Sequence, residues 1–447
     1  MNWLRHFLQI LIISVFIFSC SNKSTANDAV SRIISDPQID SSEWRYYNQR
    51  LSFYFDSLLN NTGFSGGILV AKNGHILYEH YQGFTDGPNT GLIDSSTIFH
   101  IASTSKTITA HAIFQLYQQH KFELDDKVNT VLPDFPYEDI TIRHLLNHSA
   151  GLQNYANFLE AYKWDKKVNA SNQDVLDVLA EKKPVLDFKP GSRFRYCNTN
   201  FVMLALIVEK LSGQAFPDYV KAHIFEPAGM SSSYIVGPDS AHVFTNSFKA
   251  NGVLYAFEFV DGIYGDKNVF TNARDLLKYD NAVRHNILLD QATYDTCWTA
   301  SIRDVSDRTG VDYYGLGWRI KMLPNGLKIP YHNGWWHGNN AVYQHLNLDS
   351  AVIIVTGNKF NKAIYKSVYA ANVFRDYYQV PEEKPAPAPK QVVPAKKKAD
   401  AKKSNTANKS KSAKNTAKAS VVASKKTTAA KKGNAATNKK APAKKKK

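Results

Sequence analysis

The sequence predicts an α+β fold in which an antiparallel sheet is flanked by helices and an all-helical lobe is inserted between its early and late strands. Three observations predict it: β-type patterns near residue 70, helical patterns from residue 121 to about 303, and a return of β-type patterns after residue 313. Because strands from both ends of this region can join one sheet, a cleft is expected where the sheet meets the helical lobe.

The first strands are predicted by two β-rich runs on either side of Asn73-Gly74, a dipeptide typical of two-residue hairpin turns. The next segment, residues 105–119, contains neither glycine nor proline and has apolar residues at helical spacing. It is therefore predicted to be a buried or half-buried helix that begins near Ser103.

The remaining elements follow from periodicity in the same way. Helices are expected at 175–179, 201–211, 273–283 and 361–378, and strands at 314–320, 328–332, 341–348 and 351–356. These elements define one domain over residues 44–380, with a sheet lobe at about 44–120 and 310–380 and a helical lobe at about 121–309.

The amino-terminal residues predict an exported, lipid-anchored protein. Residues 1–19 combine Arg5 with an apolar run that is shorter than the roughly 20 residues needed to cross a bilayer. The run ends at Cys20 in a sequence that resembles a bacterial lipobox, which favours a signal peptide and a diacylated Cys20 over an uncleaved membrane helix. Residues 20–43 then form a flexible tether, and the expected location is the bacterial cell envelope, on the periplasmic or cell-surface face of a membrane.

The carboxyl-terminal residues 381–447 are rich in Lys, Ala and Pro and are predicted to be disordered, because they offer little apolar surface to offset chain entropy. From Lys384 onward they hold 21 lysines and one acid, Asp400, which accounts for the net charge of +16 on the whole chain. The charge is therefore no reason to expect nucleic acid as a partner. Two interpretations stay open: the tail is merely solvated, or it binds anionic envelope polymers through counterion release.

The segment Ser103-Thr104-Ser105-Lys106 places a lysine one helical turn after a serine, so the amine is expected beside the hydroxyl. A serine hydroxyl becomes a nucleophile when a neighbouring base takes its proton, and a helix amino terminus offers N–H groups for developing negative charge. The motif alone is weak, because chance supplies about one such match in a chain of this kind.

A second candidate segment is Tyr196-Cys197-Asn198, which follows a Pro-Gly turn. If it is extended, the phenol of Tyr196 and the amide of Asn198 point to the same side. Taken alone, Tyr196 is more simply interpreted as a half-buried core tyrosine.

A third candidate segment is the predicted strand end from His332 to Trp335. Gly334 permits close approach of the backbone to a ligand, and the N–H of Trp335 can serve an oxyanion hole. Without further context, His332 is more simply a hydrogen-bonded structural histidine.

In order and spacing, the Ser-x-x-Lys, Tyr-x-Asn and His-x-Gly segments together resemble the serine β-lactamase and penicillin-binding protein superfamily. The resemblance covers about residues 63–378 and includes the stretches 145–152 and 265–271. It is closest to one branch of the superfamily, which holds class C β-lactamases, B-type D-alanyl-D-alanine carboxypeptidases, D-aminopeptidases and esterases. It implies a β-lactamase/transpeptidase-like fold.

The resemblance also implies roles for the matched residues. Ser103 forms the acyl-enzyme, and Lys106 and Tyr196 share the proton transfers, with the choice of general base left open. The three segments are therefore expected to converge, with the hydroxyl, the amine and the phenol in hydrogen-bonding contact beside the strand of residues 332–335. The backbone N–H groups of Ser103 and Trp335 form the oxyanion hole, and Asn198 holds the substrate amide. The substrate-binding residues implied in this way are Asn198, His332, Asn333, Gly334 and Trp335.

Two departures from the family pattern bear on the substrate. His332 stands where many β-lactamases have lysine, which is more similar to the peptidase and esterase members. Asn333 stands where many relatives have a threonine that helps to bind a substrate carboxylate, and the sequence identifies no arginine that replaces it.

Other residues that could carry chemistry receive simpler interpretations. Ser65 lies in a Gly-x-Ser-x-Gly sequence, but a strand follows where an α/β-hydrolase needs a helix, so a turn residue is expected. His148 is interpreted as a loop-packing residue. Cys197 and Cys297 can form one disulfide or, as we favour, stay as buried thiols.

The sequence thus predicts a serine acyl-hydrolase that cleaves an amide or ester through a covalent serine intermediate, with a D-amino-acid peptide of the cell envelope as the expected substrate. An esterase and a class C-like β-lactamase are the alternatives within the same chemistry. The alternative from a different functional class, binding rather than catalysis, is a lipoprotein that binds envelope polyanions through its tail. No metal and no cofactor are expected.

Overall fold

The computed structural model describes residues 36–87, 90–238, 245–304 and 312–378, all of which belong to one compact unit. The predicted signal peptide, Cys20, most of the tether and the basic tail lie outside the described residues. Where tether and structure overlap, the prediction is wrong: Asp36 forms a largely buried ion pair with Arg284 at 2.6 Å, and a helix begins at Ser41. The folded part therefore starts before residue 44.

The helices of the described residues are α1 (Ser41–Phe55), α2 (Ser105–Gln118), α3 (Val128–Val131), α4 (Ile142–Leu146), α5 (Tyr155–Ala161), α6 (Asn172–Lys182), α7 (Thr199–Ser212), α8 (Phe216–Val220), α9 (Glu226–Ala228), α10 (Ala273–Arg284) and α11 (Gln291–Cys297). Short π-helical turns follow α1 and α8, and 3₁₀ segments occupy Ala102–Thr104, Asn347–Asp349 and Lys362–Val373. Within the described ranges, no helix is long and apolar enough to span a bilayer.

The strands are β1 (Gly66–Lys72), β2 (His75–Gln82), β3 (Phe99–His100), β4 (Tyr234–Ile235), β5 (Val269–Thr271), β6 (Ile302–Arg303), β7 (Asp312–Tyr314), β8 (Arg319–Met322), β9 (Lys328–Trp336), β10 (Asn339–Leu346) and β11 (Ala351–Gly357). Eight of these described strands form one antiparallel sheet in the order β2-β1-β11-β10-β9-β8-β7-β6, and β3, β5 and β4 form a second. Early β1 pairs with late β11, so the predicted α+β fold with its inserted helical lobe is confirmed.

Both faces of the large sheet are covered. In β1, Ile68 and Val70 join a core with α1 and the final 3₁₀ segment, whereas Leu69 and Ala71 face the main core with α2 and α10. Successive side chains of a strand point to opposite faces, and every residue of β11 is buried. The alternation therefore fixes the register of the central strands, since a slip by one residue would exchange the two faces.

Several elements differ from their predictions. The hairpin is confirmed, but α1 precedes it, with Asp40 capping its start through hydrogen bonds from the N–H groups of Ser42 and Glu43. The single strand predicted at 314–320 is wrong, because a turn separates β7 from β8. The N–H of Gly315 donates to the carbonyl of Trp318, and Gly317 adopts φ +88° against α2, where a side chain would collide with Ala110.

The histidines buried in the described fold include His100, His111, His148 and His332. Burial lowers the pKa of His100 and of His111 to about 4, and it lowers the pKa of His148 and of His332 well below the usual value. In the unfolded chain they titrate near pH 6.5. Protons therefore bind the unfolded state preferentially as pH falls from about 6.5 to about 4.

We expect the contribution of these four histidines to the free energy of unfolding to be complete above about pH 6.5 and to fall below it, by up to about 1.4 kcal/mol per pH unit for each of the four. Urea unfolding at pH 7.5 and pH 5.5 measures this, because most carboxylates titrate lower. His111→Gln should reduce the slope with pH, whereas the exposed His120→Asn should not. Equal free energies at the two pH values would contradict the expectation.

Candidate active site

Ser103 lies on the 3₁₀ turn Ala102–Thr104, directly before α2. Ala102 adopts φ +48°, a left-handed conformation that is uncommon for residues other than glycine. The turn is fixed on one side by Ile101, whose N–H donates to the Val269 carbonyl at 3.1 Å. The Ser105 hydroxyl also accepts the N–H of Val269 at 3.1 Å. The small sheet therefore holds the residues on both sides of the Ser103 turn.

The other side of the turn rests on strand β9. A Cβ atom at Gly334 would lie 2.2 Å from the carbonyl oxygen of Ile101, so only glycine permits this approach. The hydroxyl of Thr104 donates to the His332 carbonyl at 3.4 Å. The two segments predicted to converge are thus in contact, and Ser103 and Trp335 line one cavity. The oxyanion-hole role of their N–H groups stays a prediction.

Lys106 is fully buried, with its amine in contact with three oxygen atoms. Nζ lies 3.1 Å from Ser103 Oγ, 2.9 Å from Asn198 Oδ1 and 2.7 Å from the carbonyl oxygen of Asp266. The last two oxygens have no hydrogen to give, whereas the Ser103 hydroxyl can accept or donate. The same contacts therefore suit a charged amine that donates three times and a neutral amine that accepts the serine proton.

Tyr196 lines the same cavity as Ser103, but the expected hydrogen bond between phenol and hydroxyl is absent. Its phenol oxygen is closed to solvent and has no partner among the described residues. The Lys106 amine lies over the Tyr196 ring instead, 5.0 Å from the ring centroid, because the hydrogen bonds of the amine are made with the three oxygens. The expected hydrogen-bonding contact of all three groups is therefore wrong for this structure: the Lys106 amine contacts the Ser103 hydroxyl, whereas the Tyr196 phenol oxygen is bonded to neither.

The prediction of an extended Tyr-x-Asn segment is wrong at Asn198, which has helical dihedral angles and begins α7. The segment is shaped by His148: the carbonyl of His148 accepts the N–H of Arg195 at 3.0 Å, and its Nδ1 accepts the N–H of Cys197 at 3.2 Å. The His148 ring also lies 4.3 Å from the Tyr196 ring. His148 thus packs and holds this loop, as expected of it.

His332 and Asn333 occupy the β9 wall of the cavity. His332 is buried between the Tyr314 hydroxyl, 3.0 Å from Nε2, and the Asn333 carbonyl, 2.8 Å from Nδ1. Burial, with the charges of Arg319 and Lys106, holds the pKa of His332 well below its usual value, so the ring is neutral at pH 7. Asn333 Oδ1 is closed to solvent and has no partner among the described residues.

Arg319 is the cavity residue that sequence reasoning missed. It begins β8, pairs with Tyr331 of β9, and places its guanidinium 5.5 Å from the Tyr196 ring centroid. Its side chain is 22% exposed and donates to Asp304 Oδ2 at 2.6 Å. In the sequence, Arg319 is marked only by its position one strand before that of His332. To infer from this position that it lines the cavity requires the pairing of the two strands, which the sequence does not specify.

The remaining lining residues complete the walls and the mouth of the cavity, which has a volume of about 920 Å³. Trp335 is 60% exposed at the mouth, 6.2 Å from Phe360. Tyr365 donates to the Gly334 carbonyl at 2.9 Å, and Lys362 adds a second cation. The described lining residues include no acidic side chain.

The other candidates lie apart from this cavity. Ser65 precedes β1 and donates to Asn358 at 2.7 Å, with a helix rather than a strand before it. Cys197 and Cys297 are free, buried thiols. No three His, Cys, Asp or Glu side chains are grouped as metal ligands in the part of the chain that the structure describes.

Comparison with known proteins agrees with this geometry. Residues 54–371 match the family model described as Beta-lactamase. The chain is 30% identical over 370 residues to Penicillin-binding protein 4* of Bacillus subtilis, covering 77% of this chain and 80% of the relative. It is 26% identical over 318 residues to a D-aminopeptidase of Cereibacter sphaeroides, covering 68% of this chain and 58% of that relative.

Among solved structures, a penicillin binding protein from Bacillus halodurans superposes with a TM-score of 0.62 at 25% identity. The match covers 73% of this chain and 98% of that chain. The similarity thus extends over nearly the whole of the solved protein and over the described domain of this one.

Proposed function

Since this chain belongs to the beta-lactamase family and is a serine hydrolase, we propose that it hydrolyses a D-amino-acid-containing peptide of the cell envelope that carries a free carboxylate beside the scissile bond. The charge of the cavity carries this proposal: Arg319 and Lys362 line it, and no acidic side chain does so among the described residues.

Arg319 is the better placed of the two cations for binding a substrate carboxylate. Lys362 is exposed, so its charge is screened by solvent, whereas Arg319 is mostly enclosed. A guanidinium binds a carboxylate through a planar pair of hydrogen bonds, and such bonds are stronger than neutral ones. The contact with Asp304 uses Nη1, which orients the guanidinium and balances part of its charge. Arg319 thereby supplies the carboxylate-binding group that this chain lacks at Asn333, where many relatives have threonine.

The catalytic steps follow from the contacts of Lys106. Ser103 Oγ attacks the scissile carbonyl and loses its proton to the Lys106 amine, or to Tyr196 with Lys106 assisting. The tetrahedral intermediate collapses when the amine leaving group receives a proton from the same pair. Water then attacks the Ser103 ester and gives its proton to the base; the acyl–Oγ bond breaks, Ser103 Oγ takes that proton back, and the acid is released. Which residue is the first proton acceptor is left open by the geometry.

The names of the relatives support this class of substrate, since they include penicillin-binding proteins and D-aminopeptidases. An esterase is the second candidate, favoured by the apolar mouth of the cavity, where Trp335 is 60% exposed. Anchoring through Cys20, envelope location and binding of anionic polymers by residues 381–447 are further parts of the proposal. They rest on the sequence alone.

Replacing Arg319 with glutamine should lower kcat/KM for a peptide ending in D-Ala-D-Ala by about 10- to 100-fold, the usual effect of losing hydrogen bonds to a charged group. The same peptide with a carboxyl-terminal amide should be affected far less. Steady-state hydrolysis of the two peptides measures the ratio, which also corrects for any loss of folded enzyme.

Lys321→Gln is the matched control. Lys321 lies on the same strand and pairs with Asp312 at 2.8 Å, but it does not line the cavity. The Lys321→Gln substitution should leave the ratio of kcat/KM between the acid and amide peptides unchanged. An Arg319→Gln enzyme that loses both activities equally, or neither, would refute carboxylate recognition by this arginine and would favour the esterase.

A further inference from the structure

A second cavity lies beside the first and shares Trp336 with it. It has a volume of about 280 Å³, and we call it the distal cavity. Its lining includes His100, Phe257, Asp261, Trp336, His337 and Asn339. Because β9 rises about 3.3 Å per residue and ends at Trp336, Trp336 lies roughly 7 Å beyond Gly334 along the strand, and His337 follows it in the turn to β10. A substrate that follows β9 would reach it two or three residues from the scissile bond.

Two buried polar atoms on its wall are unsatisfied. Asn339 Oδ1 and His100 Nδ1 are both closed to solvent and have no partner among the described residues, and both side chains are more than nine-tenths buried. An unpaired buried acceptor costs about 1–3 kcal/mol. If the Asn339 side chain turns Oδ1 toward the cavity, a hydrogen-bond donor of a ligand can bind it, and this free energy is recovered.

The acid on the wall is largely committed to donors of the protein itself. Asp261 is the one acid among the described lining residues, and it already accepts from Trp336 Nε1 at 2.8 Å, from the N–H of Glu258 at 2.7 Å and from His337 at 3.1 Å. Burial lowers the pKa of His100 to about 4, so that ring is neutral. Asp261 keeps its negative charge, but a carboxylate has about four acceptor sites, so about one is left for a ligand. The three N–H donors of an ammonium group would therefore stay largely unsatisfied on this wall.

The aromatic walls favour a flat group. Phe257 is 53% exposed at the rim, and Trp336 is held in place by its bond to Asp261 and by the Lys267 amine, 4.9 Å from its centroid. A peptide amide is planar, uncharged and both donor and acceptor, so it matches the aromatic faces and the side-chain amide of Asn339 together.

We propose that the distal cavity binds an uncharged amide of the acyl portion of the substrate, two or three residues from the scissile bond, and so selects N-acylated peptides over those with a free amine. This inference rests on the proposed function and deepens it. The enzyme would then remove a carboxyl-terminal residue from a longer peptide rather than an amino-terminal residue from a short one.

Three ester substrates with the same D-lactate leaving group test the inference: N-acetyl-D-alanyl, N-acetyl-glycyl-glycyl-D-alanyl and glycyl-glycyl-D-alanyl. We expect kcat/KM for the acetylated long substrate to exceed each of the other two by about tenfold, the effect of one recovered hydrogen bond. Asn339→Leu, which has a similar volume and no polar atom, should abolish this advantage. Phe257→Ala should reduce it by about threefold through lost contact.

Val253→Ala is the matched control, since Val253 is 51% exposed in the same loop and does not line the distal cavity. It should leave the advantage intact. A wild-type enzyme that hydrolyses all three esters equally, or an Asn339→Leu enzyme that retains the preference, would overturn the inference while leaving the proposed function standing.

A binding measurement separates the two proposals if no ester is hydrolysed. N-acetyl-glycyl-glycinamide alone should shift the NMR signals of the His100 and His337 rings in wild-type protein and should fail to do so in Asn339→Leu. An absence of shifts in the wild type at millimolar peptide would overturn the distal cavity as an amide site. Shifts without any hydrolysis would instead count against the proposed function.

Discussion

Replacing Ser103 with alanine is expected to lower kcat by roughly 10⁴- to 10⁶-fold, the range found when the nucleophile of a serine hydrolase is removed. The hydroxyl is the group that forms the covalent bond, and no neighbouring side chain can take its place. Lys106 is bonded to Asn198 and Asp266, and the Tyr196 phenol oxygen has no partner that activates it among the described residues. Hydrolysis of a D-lactate ester measures the loss.

The same substitution should leave the fold intact, because the Ser103 side chain receives one hydrogen bond from Lys106 and has no other polar partner in the described structure. Ser65→Ala is the matched control, since Ser65 belongs to the other nucleophile-like sequence and bonds Asn358. Full activity in Ser65→Ala with loss in Ser103→Ala is the expected pair of results. The reverse pair would assign the chemistry to residue 65.

Replacing Lys106 with methionine is expected to lower kcat by about 10³-fold or more, because it removes the amine that contacts the nucleophile and the donor that orders Asn198. It also leaves the Asp266 carbonyl and Asn198 Oδ1 unpaired inside the protein, at about 1–3 kcal/mol each. Activity is therefore to be measured at saturating substrate on protein whose folded fraction is known from urea unfolding.

Tyr196→Phe is the comparison that separates catalysis from structure at Lys106. The phenol oxygen is buried without a partner, so its removal should not reduce the free energy of unfolding, while kcat should fall. If Lys106→Met retained near-normal turnover and Tyr196→Phe did not, the lysine would be structural and the phenol would be the base. Unchanged activity in both variants would contradict the role of this pair.

Local sequence patterns predicted the parts of the fold that depend on neighbouring residues. The Asn73-Gly74 hairpin and helix α2 depend on turn chemistry and on periodicity, and both are present. The break between β7 and β8 was missed because Gly317 turns there in order to pack on α2, a long-range contact. Helix α1 was missed because its buried residues are few: Leu51 and Phe55.

For the site, the motifs predicted which residues share a cavity but not how they contact one another. The Lys106 contact with Asn198 joins residues 92 positions apart, and spacing alone does not specify it. The carboxylate-binding candidate Arg319 became visible only with the β8–β9 pairing. The distal cavity is built mainly by the loop before β5 and the β9–β10 turn, and Phe257, Asp261 and Asn339 belong to none of the motifs.

The central claim is that Ser103 forms the covalent intermediate in the cavity built by α2, Tyr196 and β9. Incubation with a fluorescent penicillin or a fluorophosphonate, followed by protease digestion and mass spectrometry, tests it most directly. One adduct per chain, located on Ser103, is expected in the wild type, and none in Ser103→Ala. An adduct on another residue, or hydrolysis that proceeds in Ser103→Ala, would contradict it.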